Sequence, residues 1–126
     1  MQIILAAAGQ GNSSLSETLT GGERMAEQAR KLSETEITEA LASLPGWSVE
    51  AGKLHRQFQF KNFVEAFGFM ASAALVAESM NHHPEWFNVY HKVVVDLVTH
   101  SVGAISNFDV ELARMMEMLA QRSVNH

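Results

Sequence analysis

The chain has 126 residues, enough for one domain with a modest core and too few for two ordinary ones. Apolar residues make up 47% and charged residues 18%, a globular rather than a disordered balance. The net charge of -5 offers no broad basic surface for nucleic acid, and the lack of cysteine excludes a disulfide scaffold and any thiolate metal site.

The first apolar stretch, Ile3 to Ala8, lacks a basic flank and is short for a secretory signal. Gly11 to Gly22 is rich in Gly, Ser and Thr and has no periodicity. Residues 1–31 are therefore expected to form a flexible extension, and residues 32–126 the folded domain. No apolar run approaches the roughly 20 residues that span a bilayer.

"LSETEITEALASLPGW" predicts a capped helix. Ser33 is the N-cap, Glu36 completes a capping box, and Ile37, Leu41 and Leu44 fall at helical spacing before Pro45-Gly46 ends it. "GWSVEAGKLHRQFQF" predicts a β-hairpin. Leu54, Phe58 and Phe60 share one parity, His55, Gln57 and Gln59 the other, and Ala51-Gly52 supplies the turn.

"KNFVEAFGFMASAALVAESMNHH" carries the strongest helical pattern. Asn62 caps it, and Phe63, Phe67, Met70, Ala74 and Ala77 define the expected buried stripe. Gly68, Ala71 and Ala73 leave room for another element or a second subunit. "EWFNVYHKVVVDLVTH" is β-rich and too long for one ordinary strand, so two are expected, divided between Tyr90 and Lys92. "FDVELARMMEMLAQRSV" closes the chain as an amphipathic helix through Val110, Leu112, Ala113, Met116 and Leu119, capped by Asn107 or Asp109. The order α-β-β-α-β-β-α implies an α+β two-layer sandwich, a four-stranded antiparallel sheet with three helices on one face.

Candidate chemistry gathers at element ends. Pro84 disfavours helix at His83, so the long helix stops around Asn81 to His83, with Glu78 one turn behind His82 and placed to hold its imidazole. His100 ends the last strand and Asp109 opens the last helix. A metal site, an acid–base site and a solvated loop all remain open for the paired histidines, although adjacent histidines rarely converge on one ion and HExxH is absent. Trp86 reads as core or as a flat wall for a planar heterocycle. His55, His91 and His126 read as ordinary surface histidines. No GxSxG elbow, P-loop or dinucleotide fingerprint is present.

Taken together, "FVEAFGFMASAALVAESMNHHPEWFNVYHKV", "DLVTHSVGAIS" and "DVELA" resemble the pterin-4a-carbinolamine dehydratase family, from about Leu32 to the C-terminus. The resemblance implies a hydro-lyase that dehydrates 4a-hydroxytetrahydrobiopterin to quinonoid dihydrobiopterin, recycling the pterin of aromatic amino-acid hydroxylases. It implies His82, His83 and His100 as catalytic residues and Glu78, Asn81, Trp86 and Asp109 as binding or orienting residues. His82 and His100 are the expected acid–base pair and His83 the group that holds the substrate, with an exchange of roles between His82 and His83 open. No metal or organic cofactor is implied, and neither nucleic acid nor membrane is a direct partner. A homodimer or homotetramer is implied, in the cytoplasm and with nuclear placement open. A binding protein of the dimerisation-cofactor type, or an enzyme for another pterin, is the alternative. Three positions depart from common family patterns: Gly103 stands one residue before the usual glycine, Phe108 replaces a basic residue of some animal members, and Asn81 replaces their aspartate.

Overall fold

The computed structural model describes residues 28–124. The expectations for Ile3–Ala8, for the Gly/Ser/Thr-rich run and for His126 lie outside them. The chain is tied to the domain from Arg30 onward: Asn107 donates its backbone N–H to the Arg30 carbonyl, and Leu32 donates to Ile105.

Helix α1 spans Glu34–Ala42. Its capping box is present: the Ser33 hydroxyl accepts from Glu36 N at 3.1 Å, and the Glu36 carboxylate accepts from Ser33 N at 2.9 Å. That backbone N–H, with Arg30 next, holds the Glu36 carboxyl below its ordinary pKa.

Strands β1 (Ser48–Glu50) and β2 (Lys53–Gln59) form the hairpin. Ala51 and Gly52 both have positive φ, 53° and 78°, so the two-residue loop follows the right-handed twist of its strands. Helix α2 spans Phe63–Met80 and is capped by the Asn62 side chain, which accepts from Glu65 N at 2.9 Å. Strands β3 (Glu85–Val89) and β4 (Lys92–Leu97) follow, then helix α3 (Asn107–Val124). No Gly or Pro marks the β3–β4 turn because Tyr90 itself takes the left-handed conformation, φ 52°.

The sheet order is β1-β2-β4-β3, antiparallel throughout. Its inner face carries Leu54 and Phe58 from β2 and Val93, Val95 and Leu97 from β4, packed with Ala66, Phe69, Leu112, Ala113 and Met116 from the helices. Phe69 sits 4.7 Å from Phe58 and 5.0 Å from Phe60, ring centre to centre. Glu117 of α3 fastens the hairpin, accepting from Trp47 Nε1 and Arg56 Nε, each at 2.8 Å.

Two expectations about α2 are corrected. Its buried stripe is Ala66, Phe69, Ala73 and Ala77, while Phe63 and Phe67 are 49% and 58% exposed and Ala74 is exposed. The helix is apolar nearly all round, so helical spacing fits several faces equally well. The sheet and α3 select the face of small residues, which permits close approach, with Phe69 as its one large side chain. By length and composition α2 is also long and apolar enough to cross a bilayer, contrary to the reading of the run alone. Only 22% of it is buried, so much of its apolar surface faces outward.

Candidate active site

Asn81 decides the geometry. It ends α2 in the left-handed conformation (φ 53°, ψ 42°), its N–H reaching the Ala77 and Glu78 carbonyls, and His82 N then reaches back to Ala77 O at 3.0 Å. Asparagine is among the few residues other than glycine that adopt this conformation readily. The chain reverses there, so helical phase no longer relates Glu78 to His82. The expected Glu78–His82 pairing is thereby overturned: Glu78 Oε1 lies 2.8 Å from His83 Nε2, and both side chains are exposed.

His82 turns inward instead. It is 9% exposed, and its Nε2 lies 2.5 Å from Asp109 Oδ1. Asp109 is fully buried in the first turn of α3. Its second oxygen accepts from Thr99 Oγ1 and from Ser106 N, both at 2.8 Å. Ser106, just before α3, accepts from Phe108 N at 3.1 Å and shares a hydroxyl–hydroxyl hydrogen bond with Thr99 at 2.6 Å. The start of α3 is thus capped by Ser106 with Asp109 reaching back, rather than by Asn107 or Asp109 acting as N-cap. Asp109 serves two purposes at once, as helix cap and as imidazole partner. Phe108 packs beside His82 with ring centres 5.8 Å apart, which gives the departure at this position a place in the site.

His100 opens the loop after β4. Thr99 and Ala104 exchange backbone hydrogen bonds across this loop, and Gly103 N reaches His100 O at 3.1 Å. Gly103 has φ +63°, so the glycine stands at the residue where the turn requires one. The His100 side chain is 84% exposed and lies 3.6 Å from Glu85 Oε2. The other Glu85 oxygen binds Lys53 Nζ at 2.6 Å. That contact, ahead of the nearby His100, lowers the Glu85 pKa, and it raises that of Lys53.

The histidines therefore belong to one closed ring of links. His82 contacts Asp109, Asp109 contacts Thr99, and Thr99 is bonded to His100. His100 faces Glu85, and Glu85 runs back through Pro84 and His83 to His82. Two imidazoles on this ring are open to solvent and one is locked on a buried carboxylate. Exposed imidazoles can accept or give protons, whereas His82 is held in the interior against Asp109. Asn81 contributes backbone geometry. Trp86, half-buried on β3 opposite Val95, packs against the core.

Glu85, Lys53, Thr99 and Ser106 were not singled out from the sequence. "HHPEW" did place an acid directly after the proline, but no spacing rule connects it to His100. Of the histidines read as surface groups, His55 is half-buried with Nδ1 2.8 Å from Asp96 Oδ1. His91 is partly buried, and its Nδ1 is enclosed without a hydrogen-bond partner among the described residues. Among the described residues no three His, Cys, Asp or Glu side chains group so as to hold a metal ion.

The two-layer α+β sandwich is the fold of a known class of hydro-lyase, the pterin dehydratases. The chain belongs to the pterin 4 alpha carbinolamine dehydratase family, whose sequence model matches residues 30–119. It is 54% identical over 90 residues to a protein of Solibacter usitatus assigned as a pterin-4-alpha-carbinolamine dehydratase, covering 71% of this chain and 95% of that one. A relative from Rhizobium rhizogenes, assigned likewise, is 51% identical over 94 residues, covering 73% and 93%. The crystal structure of a transcriptional coactivator/pterin dehydratase from Brucella melitensis superposes with a TM-score of 0.70 at 48% identity, covering 72% of this chain and 99% of that one.

Proposed function

We propose that this enzyme dehydrates 4a-hydroxytetrahydrobiopterin to the quinonoid dihydropterin by histidine acid–base catalysis, and so recycles the pterin of an aromatic amino-acid hydroxylase. The observation that carries the mechanism is the division of the histidines: His83 and His100 exposed, His82 buried on Asp109. The reaction sends one proton to the departing 4a-hydroxyl, breaks the C–O bond, and takes one proton from a ring nitrogen. Two solvent-accessible imidazoles suit those two transfers. His83 and His100 are assigned to them. His82 passes from the acid–base role expected of it to a framing role, because it is buried against Asp109 while His83 and His100 stand open to solvent. Glu78 accepts from His83 and orients it.

The decisive experiment adds the protein to a phenylalanine hydroxylase assay. Faster hydroxylase turnover and less 7-substituted pterin are expected. No stimulation, with turnover of a different pterin, would move the substrate assignment.

A second reading rests on the outer face of α2. Phe63, Val64, Phe67 and Leu75 are 49%, 77%, 58% and 75% exposed on one helix. An apolar surface of this kind marks an interaction site, and the Brucella melitensis relative is described as a coactivator as well as a dehydratase. The surface is assigned here to self-association as a dimer or tetramer, with coactivator-type partner binding as the alternative.

A further inference from the structure

We infer that Glu85, anchored by Lys53, is the positioning residue for His100; the inference rests on the acid–base reading of His100. The loop backbone around His100 is fixed by Thr99, Ala104 and Gly103, but those bonds leave the imidazole itself free to rotate. Its side chain is 84% exposed, and the group it faces is the Glu85 carboxylate at 3.6 Å. Glu85 is in turn held from the far side by Lys53 at 2.6 Å, so its two oxygens point at two different partners. The three residues come from three places: the first residue of β2, the first residue of β3, and the loop after β4. Only the sheet register gathers them. Asp96 is the β4 partner of both His55 and Glu85, which brings the start of β2 within reach of the start of β3.

A carboxylate facing Nε2 favours the tautomer that carries its proton there. Nδ1 is then left with its lone pair, ready to take a proton from the substrate. The carboxylate also opposes the charge that develops when the ring becomes imidazolium. A gap of 3.6 Å is long for a hydrogen bond, and such contacts commonly tighten when substrate binds. Lys53 keeps Glu85 from swinging away meanwhile. Glu85 follows Pro84 directly, so the peptide segment that presents His83 also presents the partner of His100. The two exposed imidazoles are thereby set relative to one another through three consecutive residues.

The test uses the full-length protein with Glu85→Ala, Glu85→Gln, His100→Ala and the Glu85→Ala/His100→Ala double variant. Glu85→Ala is expected to lower kcat about three- to tenfold, the scale of one charge-assisted contact, with KM within about twofold. Glu85→Gln keeps an acceptor oxygen and is expected to recover part of that loss. In the His100→Ala background, Glu85→Ala should cost nothing further. Imidazole nitrogen shifts of His100 should move toward the free tautomer mixture in Glu85→Ala. Unchanged kcat, an equal loss without His100, or unchanged nitrogen shifts would overturn the inference. Full turnover in His100→Ala alone would overturn the reading beneath it, and with it any catalytic value of the contact. The nitrogen shifts would still report whether Glu85 orients the ring.

Discussion

His82 and Asp109 meet at 2.5 Å across 27 positions of sequence, and both are buried. The contact joins the end of α2 to the start of α3. Asp109 also receives Thr99 and Ser106, so its removal strands three donors in the interior. Asp109→Ala is expected to destabilise the fold by about 3–5 kcal/mol in urea unfolding, and Asp109→Asn by about 1–3 kcal/mol. A change below about 0.5 kcal/mol in Asp109→Ala would show that the carboxylate is not the anchor proposed. His82→Ala is expected to cost stability too, since it leaves the Asp109 carboxylate without its imidazole.

The exposed imidazoles should behave differently. His83→Ala is expected to lower kcat/KM for 4a-hydroxytetrahydropterin by about 10²-fold, with unfolding changed by less than about 0.5 kcal/mol. His55→Ala, on the outer face of the sheet beside Asp96, should keep activity within about twofold. Stopped-flow absorbance of the dehydration step measures both. Equal losses in the two variants would place the site elsewhere.

Asn81 tests whether the helix reversal sets the site. Asn81→Gly preserves the left-handed conformation and is expected to keep stability within about 0.5 kcal/mol. Asn81→Val puts a β-branched residue at φ 53° and is expected to cost about 1–2 kcal/mol or more. It should also weaken the His83–Glu78 pair. Matching activity and melting temperature in the two variants would remove the reversal from the argument.

The outer face of α2 predicts assembly. Phe67→Glu with Leu75→Glu should shift the protein toward monomer in sedimentation velocity. Because both side chains are already largely exposed, the fold of each chain should be spared. An unchanged sedimentation coefficient would free this face for some other partner.

Local chemistry was legible along the chain. Ser33 with Glu36, Asn62, Ala51-Gly52, and the alternation of Leu54, Phe58 and Phe60 each announce their element through nearest neighbours alone. Such signals depend on backbone preference and on period, both of which survive without knowledge of the partner. The face of α2 was not legible, because an all-round apolar helix fits several orientations and only the sheet chooses among them. The β3–β4 turn was placed correctly without a Gly or Pro, since the length of the β-rich run already required a break.

The histidine-bearing stretch shows the same boundary. By itself the sequence determined that His82 and His83 stand where Pro84 ends a helix, and that His100 and Asp109 lie at other element ends. The pairing was decided by the tertiary structure. One left-handed residue rotated His82 away from Glu78 and onto Asp109 and gave Glu78 to His83, while the register of the sheet set Glu85 facing His100. Sequence spacing encodes neighbours only while the backbone keeps one periodicity. Where the chain turns, contacts depend on the register of the sheet and the docking of two helices, which no local pattern carries.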